Sequence, residues 1–201
     1  MRMLWWIGSG VLVLFVAACG LWLNATTGIE TPDYAVSESE GSIELRDYPA
    51  LRVAEVMRQG SRREAVRAGF RPLAAYIFAD EREGDKIAMT APVTQTPEAE
   101  GPNWTVRFVM PRDYDLAELP APADGSEVTL RELPPQQIAA IRFSGVATDE
   151  TVAEAEDALR DWIFTRDLTP VGPATIAYYN DPLTPGPLRR NEVLIEVAPA
   201  G

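Results

Sequence analysis

The chain has no histidine, a single cysteine (Cys19) and a single lysine (Lys86). Without histidine, Ser/His and Cys/His nucleophile arrangements cannot be assembled. One cysteine excludes a disulfide within the chain and any thiolate cluster for zinc. Glycine-rich phosphate loops are missing as well. Basic charge is scarce, with 18 Lys+Arg against 30 Asp+Glu. Nucleic acid is therefore not an expected partner, because phosphate binding needs a basic face. Paired acids such as Asp149-Glu150 fall at a helix start, where the helix dipole already accounts for them. No catalytic constellation and no metal site is expected, and the chain is not read as an enzyme.

Charge is also missing from residues 3–23. At helical rise this run covers roughly 30 Å, enough to cross a hydrocarbon core. Arg2 precedes it, and Glu30 and Asp33 are the first charges after it. That asymmetry leaves the N-terminus in the cytoplasm and the remainder on the non-cytoplasmic side, periplasmic in a bacterium. Trp5, Trp6 and Trp22 sit where interfacial anchors do. A second reading starts from Val16-Ala17-Ala18-Cys19, which resembles a bacterial lipobox with Cys19 as the lipidation candidate. The apolar run continues past Cys19 and only one side-chain cation precedes it, which favours an uncleaved anchor. Residues 1–23 are thus an anchor or a lipoprotein signal, and either one tethers the chain to a membrane. Residues 24–42 are polar and are expected to form a stalk.

What the remainder has in quantity is repetition. Ile43-Glu44-Leu45-Arg46-Asp47-Tyr48-Pro49 matches Val128-Thr129-Leu130-Arg131-Glu132-Leu133-Pro134. Val53-Ala54-Glu55-Val56 matches Ile138-Ala139-Ala140-Ile141, and Val106-Arg107-Phe108-Val109-Met110-Pro111 parallels Leu194-Ile195-Glu196-Val197-Ala198-Pro199. One unit is written twice, over about 43–111 and 128–199, within a domain spanning 43–198. Alternation and turn residues predict strands at 43–48, 51–57, 87–93, 104–110, 128–133, 137–143, 174–179 and 191–197. Ser61-Arg62-Arg63-Glu64 is a capping-box pattern that opens a first helix. Val66, Phe70, Leu73 and Ile77 give that helix an apolar stripe, and Pro72 predicts a kink or break near Arg71. A second helix starts near Thr148 or Thr151, with Val152, Ala155, Leu159, Trp162 and Ile163 on its apolar face. The expected class is α+β: a duplicated β-α-β unit forming a distorted, partly closed barrel of about eight strands, with two flanking helices.

Lys86-Ile87-Ala88-Met89-Thr90-Ala91-Pro92-Val93 and Asn180-Asp181-Pro182 with Arg189-Arg190-Asn191-Glu192-Val193 make the domain resemble the SOUL haem-binding protein family. The resemblance implies a distorted barrel with two helices. It further implies non-covalent binding of haem or another tetrapyrrole in a hydrophobic groove beside the first helix. The family's basic groove residue falls at Arg67, whereas two further lysine positions fall at Ala75 and Pro185. The absence of histidine rules out histidine ligation of iron. Arg63, Arg67 and Arg71 form one helical stripe, suited to the carboxylates of a flat apolar ring. The groove candidates are Arg67, Phe70, Arg71, Ala74, Tyr178, Tyr179 and Leu183. A protein- or lipid-interaction module using the same groove is the alternative.

Overall fold

The computed structural model describes residues 28–80, 82–99 and 101–199. Nine strands alternate with two long helices: β1 (Ala35–Glu40), β2 (Ile43–Tyr48), β3 (Leu51–Gln59), α1 (Arg62–Ile77), β4 (Val93–Pro97), β5 (Asn103–Val109), β6 (Thr129–Leu133), β7 (Gln136–Ser144), α2 (Asp149–Phe164), β8 (Leu168–Tyr178) and β9 (Arg190–Pro199). One 3-10 turn, Gly186–Leu188, lies in the β8–β9 connection. The anchor and the Cys19 motif lie outside the described residues. No helix among the described residues is long and apolar enough to cross a membrane.

All strands join one antiparallel sheet in the order β1-β2-β7-β9-β8-β4-β5-β3-β6. Leaving out β1, which has no counterpart, exchanging β2 with β6, β3 with β7, β4 with β8 and β5 with β9 gives the same order read backwards. That is the pseudo-twofold of the repeat. Its axis passes between β4 and β8, near the Gln95–Ile176 pair. The expected partly closed barrel is not what forms. The sheet has nine strands and stays open, with β1 and β6 as its edges.

The ninth strand comes from the stretch expected to be a stalk. Ala35–Glu40 pairs with β2, and its acids reach the end of α2. Glu38 binds Arg166 at 2.7 Å, Glu40 also pairs with Arg166, and the Trp162 indole donates to Glu40 at 3.0 Å. The opposite correction applies to residues 87–92, which form no strand, Thr90 making only an isolated bridge. Their polar groups are satisfied one by one: the Ile87 amide donates to the Ile77 carbonyl at 2.7 Å, and the Thr90 hydroxyl donates to the Val109 carbonyl. Ile87 itself is buried against α1 and β5.

The first helix starts at the predicted capping box, and the second, expected near Thr148 or Thr151, starts at a capping box as well. Ser61 and Glu64 exchange side-chain-to-backbone hydrogen bonds, as do Thr148 and Thr151. Pro72 does not break α1, which runs on to Ile77. The proline nitrogen cannot serve the Ala68 carbonyl, but Arg58 Nε donates to that oxygen at 3.4 Å from β3.

The helices share one face of the sheet. The first cluster packs Leu73, Tyr76 and Ile77 of α1 on Ala54, Val56, Val106 and Phe108. The second packs Val152, Leu159, Trp162 and Ile163 of α2 on Ala139, Ile176, Val193 and Ile195. The strand pairs also correct the repeat register. Val53 faces Val109 while Ile138 faces Glu196, so Val109, not Phe108, is the counterpart of Glu196. The motif match was one residue out, and with a side-chain period of two such a slip swaps the faces.

Helix α1 comes closest to the sheet at Gly69, where an added Cβ would lie 2.7 Å from Val106 Cγ2. Gly69→Ala should therefore lower stability by about 1–3 kcal/mol despite alanine's better helix propensity. Urea midpoints of the variant and the parent test this; an unchanged or raised midpoint would mean the helix can lift away freely.

Candidate functional site

Helix α1 presents two surfaces. Ala65, Gly69, Leu73, Tyr76 and Ile77 are buried, Val66 is half-buried, and Phe70 is 42% exposed. The stripe expected through Phe70 thus ends there: its ring meets Phe108 edge-on at 5.2 Å between centroids, and its outer side faces solvent. Phe78, just past the last turn, is 41% exposed. Phe70, Ala74 and Phe78 recur every four residues and line one flank. Ala74 leaves a low point between two phenyl rings that are separated by about 12 Å of helical rise. Arg63, Arg67 and Arg71 lie on the same flank and are exposed. None of the three makes an ion pair or side-chain hydrogen bond among the described residues, whereas Arg46, Arg52, Arg58, Arg62, Arg107, Arg131, Arg160, Arg166 and Arg190 all pair with acids.

The two candidate tyrosines have other partners. Tyr178 faces the helices. Its hydroxyl accepts from Arg62 Nη1 at 2.8 Å and donates to Gln95 Oε1 at 3.2 Å. Burial pushes its phenol up, against the opposing pull of the Arg62 charge. Tyr179 faces the other side of the sheet and donates to Glu192 Oε2 at 2.8 Å, with Arg190 stacked 3.9 Å above its ring. Burial and the neighbouring Glu192 charge push this phenol up as well. Neither is a ready phenolate ligand for iron, and the two are not brought together. Leu183 is on the loop after β8, 92% exposed. The structure therefore groups Arg67, Phe70, Arg71 and Ala74, and leaves Tyr179 across the sheet from them.

Two features were missed in the sequence. Phe78 lies outside the apolar heptad positions, yet its spacing from Phe70 could have flagged it. Arg62 was read as part of a capping box only. It is in fact buried, binding Asp149 at 2.7 Å and the Ala147 carbonyl at 2.8 Å in addition to Tyr178. No group of three or more His, Cys, Asp or Glu among the described residues could hold a metal ion.

The motif residues Arg189, Arg190 and Glu192 divide between two sets of contacts. Glu192 is fully buried and accepts from Arg46 at 2.7 and 3.1 Å and from Arg190 at 2.7 Å. Arg189 instead donates to the Thr184 and Pro182 carbonyls. Burial alone would raise the Glu192 carboxyl, but the Arg46 and Arg190 guanidinium groups outweigh it and hold it below its ordinary range. Burial likewise pushes Tyr48, beside this network, up to about 12.

A model of the SOUL heme-binding protein family matches residues 29–196. The comparison with curated proteins finds no match. Among solved structures, the C-terminal domain of EcmrR superposes with a TM-score of 0.57 at 11% identity, over 83% of this chain and 98% of that one. A hydrolase from Listeria innocua gives 0.58 at 14% identity, over 81% and 94%. An uncharacterized conserved protein from Listeria innocua gives 0.51 at 14% identity, over 85% and 93%. At such identities the likeness is one of fold alone.

Because the Glu192 carboxyl is depressed in the folded state, its stabilisation is complete above the ordinary carboxylate range and is lost as pH falls through it. Glu192→Gln leaves two guanidinium groups facing an uncharged amide, at an expected cost of about 3–5 kcal/mol. Urea midpoints at a series of pH values should show a flatter acid limb in the variant. Parallel pH slopes would remove Glu192 as the source.

Proposed function

Because the chain belongs to the SOUL haem-binding protein family, we propose that it binds haem or a related tetrapyrrole non-covalently along the exposed flank of α1. The observation that carries this reading is the arginine row. In a chain of net charge −12, three arginines one turn apart have no acidic partner among the described residues, and they border Phe70, Ala74 and Phe78. A tetrapyrrole needs both halves of that arrangement: apolar surface for its ring and guanidinium forks for its carboxylates. Arg67, Phe70, Arg71 and Ala74 would hold it, with Arg63 and Phe78 extending the surface. Leu183 is free to contribute from its loop.

Iron ligation by this chain is not part of the reading. Histidine is absent, and the hydroxyls of Tyr178 and Tyr179 are hydrogen-bonded and protonated. The bound group would supply its own redox and optical chemistry, and the protein would bind and orient the ring by its face and edge. The uncharged run at residues 3–23 supports a membrane tether, and the charge asymmetry around it supports a site outside the cytoplasm. The role this suggests is to sequester a tetrapyrrole at the membrane surface or hand it on.

Titrating the full chain in lipid nanodiscs with haemin and with metal-free protoporphyrin tests the reading. Both should bind with similar affinity. Arg67→Glu with Arg71→Glu should weaken both by about tenfold or more, the equivalent of about 1.4 kcal/mol. Tyr178→Phe should leave the Soret band of the haemin complex where it was. Absence of saturable binding at micromolar concentration, or full affinity in the double variant, would overturn it and leave a protein or lipid partner as the occupant of this flank.

A further inference from the structure

The sheet face turned away from the helices carries a cavity of about 330 Å³. It sits over the pseudo-twofold axis and takes residues from both repeats. Its walls are mainly apolar, with Leu51, Val53, Val109, Leu133, Ile138 and Leu194 among them. Neither Arg67 nor Phe70 lines it, so it is separate from the α1 flank.

Five polar side chains on its lining are already matched. Thr96 and Thr175 join their hydroxyls at 2.7 Å. Arg107 donates to Glu55 at 2.7 Å and to Thr96 at 3.0 Å. Tyr179 is held by Glu192, and Tyr48 accepts from Arg46 at 3.4 Å. The Thr94 and Gln136 side chains make no hydrogen bond among the described residues, and the one unmatched charge is Glu196 of β9, between Ile138 of β7 and Val171 of β8. It is half-buried, and it has no ion pair or side-chain hydrogen bond among the described residues. Arginines are plentiful on this face, yet each that lines or borders the cavity (Arg107, Arg46, Arg190) is bound to Glu55 or Glu192 instead.

We infer that this cavity binds a small organic cation with an apolar body, its charge set against the Glu196 carboxylate. A neutral occupant without a hydrogen-bond donor would strip water from Glu196 and return nothing, and a neutral donor would return a hydrogen bond but no charge, which is costly for a carboxylate. An anion would add repulsion to that cost, and the Arg107 guanidinium that might answer it is already engaged by Glu55 and Thr96. A cation replaces the lost solvation directly while its apolar part covers the aliphatic walls. Glu196 is also where the repeat departs from its own symmetry, since its counterpart is Val109. One half of the cavity therefore carries a carboxylate that the other half lacks.

Isothermal titration of the full chain with benzyltriethylammonium, and separately with benzenesulfonate, tests this. The cation should bind saturably and the sulfonate should not. Glu196→Gln should weaken the cation at least about tenfold, with an unchanged far-UV spectrum. Leu194→Trp, which fills the cavity, should abolish cation binding and leave the haemin titration unaltered. Equal cation affinity in Glu196→Gln, comparable binding of the sulfonate, or no saturable cation binding up to millimolar concentration would each overturn the inference.

Discussion

The arrangement of the two repeats depends on one buried guanidinium. Arg62, the first residue of α1, binds the first residue of α2 through Asp149, the preceding loop through the Ala147 carbonyl, and β8 through the Tyr178 hydroxyl. Its own carbonyl accepts from Gln95 of β4 at 2.7 Å, and Gln95 accepts in turn from Tyr178. The circuit closes on itself beside the pseudo-twofold axis, and no buried side-chain nitrogen or oxygen among the described residues is left without a partner. A positive charge at a helix N-terminus works against the helix dipole. Asp149, which favours the dipole of its own helix, offsets that penalty. The two helices are thus fixed to each other and to the central strands by the same few atoms.

This knot also explains why Tyr178 was readable in two ways. In the sequence, Tyr178-Tyr179 next to a loop is equally consistent with ligand contact and with packing. Only the register settles which face each ring takes and what meets its hydroxyl. The elements themselves were legible, because capping boxes, 3.6-residue stripes and turn residues are local signals. Five apolar positions of α2 were read as they are buried. What could not be read depended on distant partners. Pro72 is tolerated because a strand arginine takes over an orphan carbonyl. Ala35–Glu40 is a strand because Arg166 and Trp162 hold its acids. Residues 87–92, expected within a strand, are instead held by the Ile87 amide and the Thr90 hydroxyl bonding to partners elsewhere. On the α1 flank, arginine spacing was plain from the chain, but the absence of acids around those arginines was a fact of three dimensions.

The two sheet faces are chemically unlike. The helix-covered face is aliphatic and aromatic, with the Arg62 circuit as its polar insertion. The other face carries Glu55 and Glu192, each held by two arginines, around an apolar hollow. Alternation along each strand is what allows both in one layer. It is also why a one-residue error in aligning the repeats exchanges the two chemistries.

The strand order has an implication for how such a chain can be divided. Within the first repeat, β2 has no pairing with β3; its neighbour is β7 of the second repeat, and β3 is flanked by β6 in return. Each half lends its opening strand to the other. Severed at the connection between β5 and β6, either piece would be left with a detached hairpin or strand and an uncovered sheet edge. Two copies of one such piece could restore every lost neighbour only by trading those strands with each other. The covalent chain is, in that sense, a reciprocal exchange made permanent.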